Sequence, residues 1–549
     1  MGSEPSQFLL VFERRLAWLV QRKALTIVLI GLISLTARAL LLPILPIPKP
    51  AIQDEFSYLL AADTYAHGRL SNPTPALAEH FETLQVLMHP TYSSKYPPVS
   101  GLMMALGQVL TGQPWVGVWL ATGILMGAIC WALQGWLPAA WALAGSVIAL
   151  LQIGIVSYWS ESYWGGTCTA IGGTLAIGAV PRLIRRPRAS AAVAFAAGLA
   201  ILANTRPYEG LVLAVACSIY LVIGFARKRI TIGALVRSVI LPAACLMIPV
   251  AAWMSYYNYR VTGKPLDMPY ALHERQYALW SPLLFVTHPA PTPAYSNALL
   301  RDFWVNGDSR DKLEARAHLV KTHISDVFHL ARFYLGLPMT LCILAVGWRL
   351  WKGPAARGAL LLLGGFYAGA AFDARLFPHY AAPATALAYV LAASAVRAAR
   401  NAWPGKPSER AYVAWGLGGV VAITAILGLL TPSNRYLFGP IDYHVRAKQA
   451  SMTERLEHEP GQHLVLVRYG ARHEIYEELV YNLADIDRQK VIWARSLGPE
   501  KDQRLIRQYP GREVWLAEED GDLMLNRYRT QEDMSTITTQ LAPRVTGHF

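Results

Sequence analysis

Two adjacent acids, Asp54 and Glu55, open a helix-like run that ends near His67. An acid at this place could act as a general base or bind a metal. It could equally be a first-turn acid favoured by the helix dipole. Lys95 follows in His89-Pro90-Thr91-Tyr92-Ser93-Ser94-Lys95-Tyr96-Pro97-Pro98. The double proline makes a rigid entry to the next apolar stretch. Lys95 there either snorkels to lipid headgroups or binds a lipid phosphate as a point charge. Glu161 is a lone acid in the turn Tyr158-Trp159-Ser160-Glu161-Ser162-Tyr163-Trp164. It reads as a functional candidate or as a solvated loop acid. Arg206 with Glu209, and Asp373 with Arg375, lie in two further short turns. Each pair could be an internal ion pair, and either arginine could reach a phosphate. Tyr58, His89, Tyr96, Tyr163, Trp164 and His379 flank these groups and are candidates to line a substrate. His273-Glu274-Arg275 has no metal spacing and reads as a solvated loop, as do His288 and His323.

The elements that position these residues are membrane spans. The chain has 549 residues, 54% hydrophobic and only 16% charged, and its mean hydropathy is +0.28. Soluble chains are about 25% charged. Disordered, collagenous and ordinary cytosolic readings are excluded. Apolar runs cover 24–42, 115–136, 138–158, 163–180, 190–204, 208–226, 238–256, 327–346, 358–372, 380–396 and 411–430. A span needs about 20 such residues. The net charge of +14 comes largely from clusters between runs: Arg182/Arg185/Arg186/Arg188, Arg227/Lys228/Arg229/Arg237, Arg349/Lys352/Arg357 and Arg397/Arg400/Lys406/Arg410. Threading the eleven runs puts every cluster on one side, which the positive-inside rule makes cytoplasmic. The basic balance is then a topology signal, and nucleic acid is not implied. The stretch 97–110 breaks this parity if it spans. It is expected to be re-entrant, to be embedded on the outer side, or to pair with another short span.

The fold class is therefore a polytopic α-helical membrane protein of about eleven to thirteen spans, with its N-terminus in the cytoplasm. The outer side receives the loops 43–96 and 257–326 and everything after 432. That tail, 433–549, has the composition of a soluble domain. Strand-like 463–469, 490–494 and 513–517 alternate with helix-like 474–482 and 500–508, and 523–528 offers a fourth strand. A small extracytoplasmic α/β sandwich with a parallel sheet is expected. No G-x-G-x-x-G follows its first strand, so nucleotide binding is not implied. The five cysteines lie in apolar runs without paired spacing, so neither disulfides nor zinc are expected.

A span, then Asp54-Glu55 with a downstream His67-Gly68, then Lys95-Tyr96-Pro97-Pro98, then many short-loop spans: this order resembles the C-type (GT-C) glycosyltransferases. It looks most like the bacterial branch related to protein O-mannosyltransferases and to the enzyme that adds aminoarabinose to lipid A. The resemblance covers roughly residues 10–430. It implies transfer of a sugar from a polyprenyl-phosphate donor to a glycan, lipid or protein acceptor outside a bacterial inner membrane, with inversion. Asp54 would then be the base, with Glu55 sharing that role or binding a divalent metal. Glu161 falls where the family more often has Asp. Lys95 would hold the lipid phosphate, with Arg206 and Arg375 as further cations. Any metal would fall to Asp54, Glu55 and Glu161. Competing readings are a lipid or solute transporter, for which Arg332 is the main mid-span charge, another lipid-linked transferase, and a non-catalytic scaffold.

Overall fold

The computed structural model describes residues 18–164, 166–286, 293–430, 444–474 and 476–528. Each of the eleven apolar runs is helical in its greater part. Helix α1 is Lys23–Leu40 and α2 is Gln53–Ala66. A two-residue ribbon, β1 Val86–Leu87 with β2 Ser93–Ser94, precedes α3, Pro98–Thr111. Then follow α4 Pro114–Trp136, α5 Ala139–Ala149, α6 Gly166–Arg185, α7 Ala189–Ala203 and α8 Pro207–Lys228. Next are α9 Ile232–Thr262, α10 Pro269–Tyr277, α11 Ser309–Ala317 and α12 Leu319–Ala345. The bundle closes with α13 Pro354–Ala370, α14 Ala382–Ala402 and α15 Pro407–Leu430.

Among the described residues, seven helices are long and apolar enough to cross a bilayer: α1, α4, α6, α8, α9, α12 and α14. The helices of the runs at 138–158, 190–204 and 358–372 are shorter. Proline starts α3, α4, α8 and α13, where its missing N–H costs nothing. Helix α12 is broken at Gly336, whose φ of 68° a side chain would resist, with Pro338 two residues on.

Helix α3 explains the parity of the threading. At 14 residues it is about 21 Å long, well short of the roughly 30 Å apolar core. Its start touches the 204–207 turn, where Val99 N–H donates to the Asn204 carbonyl at 3.1 Å. Its far end folds back on α4, where Gly107 meets Gly117 with no room for a Cβ. The N-terminal end of α4 is at the 157–164 turn, since Trp115 Nε1 donates to the Ser160 carbonyl at 2.8 Å. Both ends of α3 therefore belong to the same end of the bundle. Helix α4 then runs antiparallel to α1, with Trp119 bonded to the Leu35 carbonyl and Gln134 to the Lys23 carbonyl.

The tail is a four-stranded sheet, β3 His463–Tyr469, β4 Val491–Arg495, β5 Glu513–Glu519 and β6 Leu523–Arg527, ordered β4-β3-β5-β6. The first three are parallel, with His463 paired to Val491 and Glu513, and β6 is antiparallel. Helix α16, His444–His458, covers one face through Leu456 against Val465, Val467 and Trp515. Helix α17, Pro499–Gln508, covers the other together with the 43–96 segment, where Leu60, Phe81, Val86 and Met88 meet Leu464, Leu466 and Ile492.

In the tail one element is added and one expectation is corrected. Helix α16 is not foreseen in the sequence reading. The described residues of 474–482 are not a helix. That segment spends its polar groups elsewhere. Glu478 turns inward to Arg495 and Tyr469, and Asn482 exchanges two bonds with the Trp493 backbone as a strand edge would.

Candidate active site

The site is built at the α3 end of the bundle. Helix α2 begins without a side-chain cap from Ile52, and Glu55 supplies one instead. Its carboxylate accepts the N–H groups of Ala51 at 2.7 Å, Ile52 at 3.1 Å and Tyr163 at 2.9 Å. These bonds tie the start of α2 to the 158–164 turn. Burial pushes the Glu55 carboxyl up to about 7, against the pull of the three N–H donors. Asp54, the preceding residue, is half-buried and accepts the Tyr96 hydroxyl. The Tyr96 ring stacks on Tyr58, centroids 4.2 Å apart.

Lys95 is buried. The turn that carries it is fixed from α2, where Ser57 bonds both the Gln85 carbonyl and the Ser94 hydroxyl. Its ammonium lies 3.3 Å from Glu274 and 4.6 Å from the Tyr270 ring centroid. Both partners come from α10 and lie four residues apart, hence on one helix face. Lys312 of α11 completes a chain of charges, 3.6 Å from Glu274 and 2.8 Å from Asp308. Burial alone would raise the Glu274 carboxyl, but Lys312 and Lys95 outweigh it and hold it below the usual range. Burial, with the same two lysines, keeps His273 well below its ordinary value and so neutral. Arg206, just before Pro207 at the head of α8, pairs with Glu209 at 3.3 Å and lies over the Tyr380 ring at 4.3 Å.

These groups enclose a cavity of about 480 Å³, lined by Tyr58, Lys95, Tyr96, Arg206, Tyr270 and Tyr380, with Glu209, Glu274 and Asp373 as its carboxylates. Burial and then Glu209 push Asp373 up to about 7. The cavity thus offers two cations, the buried Lys95 and the half-buried Arg206, each paired with a carboxylate, and a wall of tyrosines. It suits an anionic group attached to a larger, partly apolar molecule.

The remaining sequence candidates lie elsewhere. Glu161 is bound to Arg38, at 2.7 and 3.0 Å, behind the cavity wall. Tyr163 donates its hydroxyl to the Pro48 carbonyl. The His379 ring packs 4.6 Å from Trp164 and meets the Tyr158 hydroxyl at 3.1 Å. His89 is exposed. Arg375 does not pair with Asp373 through its side chain. It reaches Asp326 at 3.3 Å, and only its backbone N–H meets Asp373. Arg332 faces outward from α12.

The solvated-loop reading of 273–275 is corrected. His273 and Glu274 are buried, and only Arg275 is exposed, paired with Asp267. His323 lies on α12 with both ring nitrogens buried, and His288 lies outside the described residues. Glu274, Lys312, Tyr270 and Tyr380 are cavity or network residues that the sequence reading passed over. The one local hint was the i, i+4 spacing of Tyr270 with Glu274 and of Asp308 with Lys312.

Asp54, Glu55 and Glu161 do not fit a divalent metal. Both Glu55 oxygens accept N–H groups and both Glu161 oxygens face a guanidinium. Among the described residues, no group of three or more His, Cys, Asp or Glu could hold one.

No protein-family model and no curated protein matches this sequence. Solved structures do. The chain superposes on the crystal structure of ArnT from Cupriavidus metallidurans bound to undecaprenyl phosphate, at 13% identity and a TM-score of 0.50, over 97% of this chain and 96% of that one. The apo form of the same protein gives 14% identity and 0.50, over 93% and 95%. The oligosaccharyltransferase of Archaeoglobus fulgidus gives 10% and 0.48, over 92% and 73%. The ArnT likeness, end to end on both chains, is one of fold. The chain has the GT-C architecture with a small C-terminal sheet.

Proposed function

We propose that the protein is a membrane glycosyltransferase that moves one sugar from a polyprenyl-phosphate donor to an acceptor hydroxyl on the site side of the membrane, with inversion. One observation carries this reading. Lys95 and Arg206, far apart in sequence, line one buried cavity whose edge residue Tyr96 holds Asp54. The fold it shares with a protein solved with undecaprenyl phosphate supports the same class of lipid.

The chemistry follows from the charges. The donor phosphate displaces the carboxylates of Glu274 and Glu209 from Lys95 and Arg206. Asp54, oriented by the Tyr96 hydroxyl, takes the acceptor proton. The acceptor oxygen bonds the anomeric carbon as the bond from that carbon to the phosphate oxygen breaks. The negative charge that grows on the leaving phosphate meets fixed cations already in place. Glu55 and Glu161 act as positioning residues, the first by capping α2 and the second by anchoring Arg38. Arg375 is assigned no role in the transfer.

The test is turnover by the purified full chain in nanodiscs, with a panel of polyprenyl-phosphate sugars. Transfer with inverted product, lost in Asp54→Asn while the protein stays folded, is the expected result. An active Asp54→Asn enzyme would remove the assignment of the base.

A further inference from the structure

The end of the bundle opposite the cavity is built differently. Two grooves flank the C-terminal turn of α6 there. The larger, of about 960 Å³, runs between α1, α4, α6 and α7. Its length is apolar, and it ends at Arg182, Arg185, Arg186 and Arg188. The second, of about 760 Å³, shares Arg185 and adds Arg349, Lys352 and Arg397. No Asp or Glu lines either groove.

Cations at a cytoplasmic loop need no ligand to explain them, since orientation alone selects them. Orientation does not account for the trough. Close packing of α1 on α4 makes it, for a Cβ on Gly31 would lie 2.8 Å from the Gly123 carbonyl oxygen. Val28, Leu32 and Ile124 stand exposed along it. Arg182 is locked at its end by the Gly178 and Trp131 carbonyls and by the Trp131 ring at 4.0 Å. Arg185, Arg186 and Arg188 extend the positive end beyond it. An apolar channel leading to clustered cations is complementary to one kind of molecule in a bilayer, a lipid with an anionic head.

We propose that this trough holds an anionic glycerophospholipid, its acyl chain along Val28, Leu32 and Ile124 and its phosphate at Arg185, Arg186 and Arg188. The site lies in the leaflet opposite the catalytic cavity and is independent of the reading given to that cavity.

The experiment uses the full chain in detergent, with native mass spectrometry and thermal unfolding as readouts. The probes are phosphatidylglycerol, phosphatidylcholine and inorganic phosphate. Phosphatidylglycerol is expected to stay bound and to raise the unfolding temperature, and the other two are not. The Arg185→Gln/Arg186→Gln/Arg188→Gln variant should bind it about a hundredfold more weakly, at about fivefold for each cation lost. Val28→Trp with Ile124→Trp keeps the arginines but fills the trough, and should lose the lipid as well. Equal stabilisation by inorganic phosphate would show a simple anion site and overturn the proposal. Equal retention of phosphatidylcholine, or tryptophan variants that bind like wild type, would overturn it too.

Discussion

The two ends of this bundle treat charge in opposite ways. At the cavity end the cations are each matched: the buried Arg38 with Glu161, the buried Lys95 with Glu274, and the half-buried Arg206 with Glu209. At the other end, seven cations line two grooves without one carboxylate among the lining residues. The difference follows from solvent. A charge taken into the protein interior must be paired or it costs several kcal/mol. A charge at a headgroup boundary has water and lipid phosphate to meet it. Pairing at the cavity end also fixes geometry, and a fixed geometry is what a reaction site needs.

The comparison can be broken at several places. The largest effect is expected at Asp54, whose replacement by Asn should slow transfer by about 10²–10⁴-fold, as loss of a general base does. Next is the pair behind the wall. Arg38→Met leaves the buried Glu161 side chain without its cation, with the Ser160 hydroxyl still bonded to it, and should destabilise the fold by about 3–5 kcal/mol. Arg186→Gln at the opposite end should change stability by less than about 0.5 kcal/mol. Equal losses in thermal or denaturant unfolding would erase the contrast.

A smaller effect sharpens it. Glu274→Gln removes the carboxylate that competes for Lys95. Donor affinity should rise about tenfold, roughly the worth of one partly screened charge, in a direct binding titration. A loss of affinity would mean that Glu274 positions Lys95 rather than competing for it.

The smallest effect is in pH. The Asp373 carboxyl is raised to about 7, so it is neutral below that pH and charged above it. A negative charge then appears in the cavity that receives a phosphate. Donor affinity should fall by about fivefold from pH 6 to pH 8. Asp373→Asn should hold the low-pH affinity throughout. A flat wild-type profile would contradict this.

How much of this was legible in the sequence depended on range. Strand β3 falls at the stretch 463–469 read as strand-like, because a short apolar run is a local signal. The helices of the apolar runs were legible for the same reason. Asp54 could be singled out as one of two adjacent acids opening a helix-like run, and Lys95 and Arg206 because prolines follow them at an apolar stretch. The Arg206–Glu209 pair was legible too, at a spacing of three residues, but the distant partners were not. Glu274 is 179 residues from Lys95, and Arg38 is 123 residues from Glu161. No local pattern reports such a pairing. Segment 474–482 misled because its apolar and acidic spacing suits a helix. Burial of Glu478 against Arg495 outweighs that local preference.

The central claim is that Lys95 and Arg206 together form a phosphate site for a lipid. Equilibrium binding of a polyprenyl phosphate and of the matching dephosphorylated polyprenol tests it most directly. Saturable binding of the phosphate alone is expected, weakened in both Lys95→Ala and Arg206→Ala, with the fold intact. Polyprenol bound as tightly as polyprenyl phosphate, or phosphate binding unchanged in both variants, would contradict it.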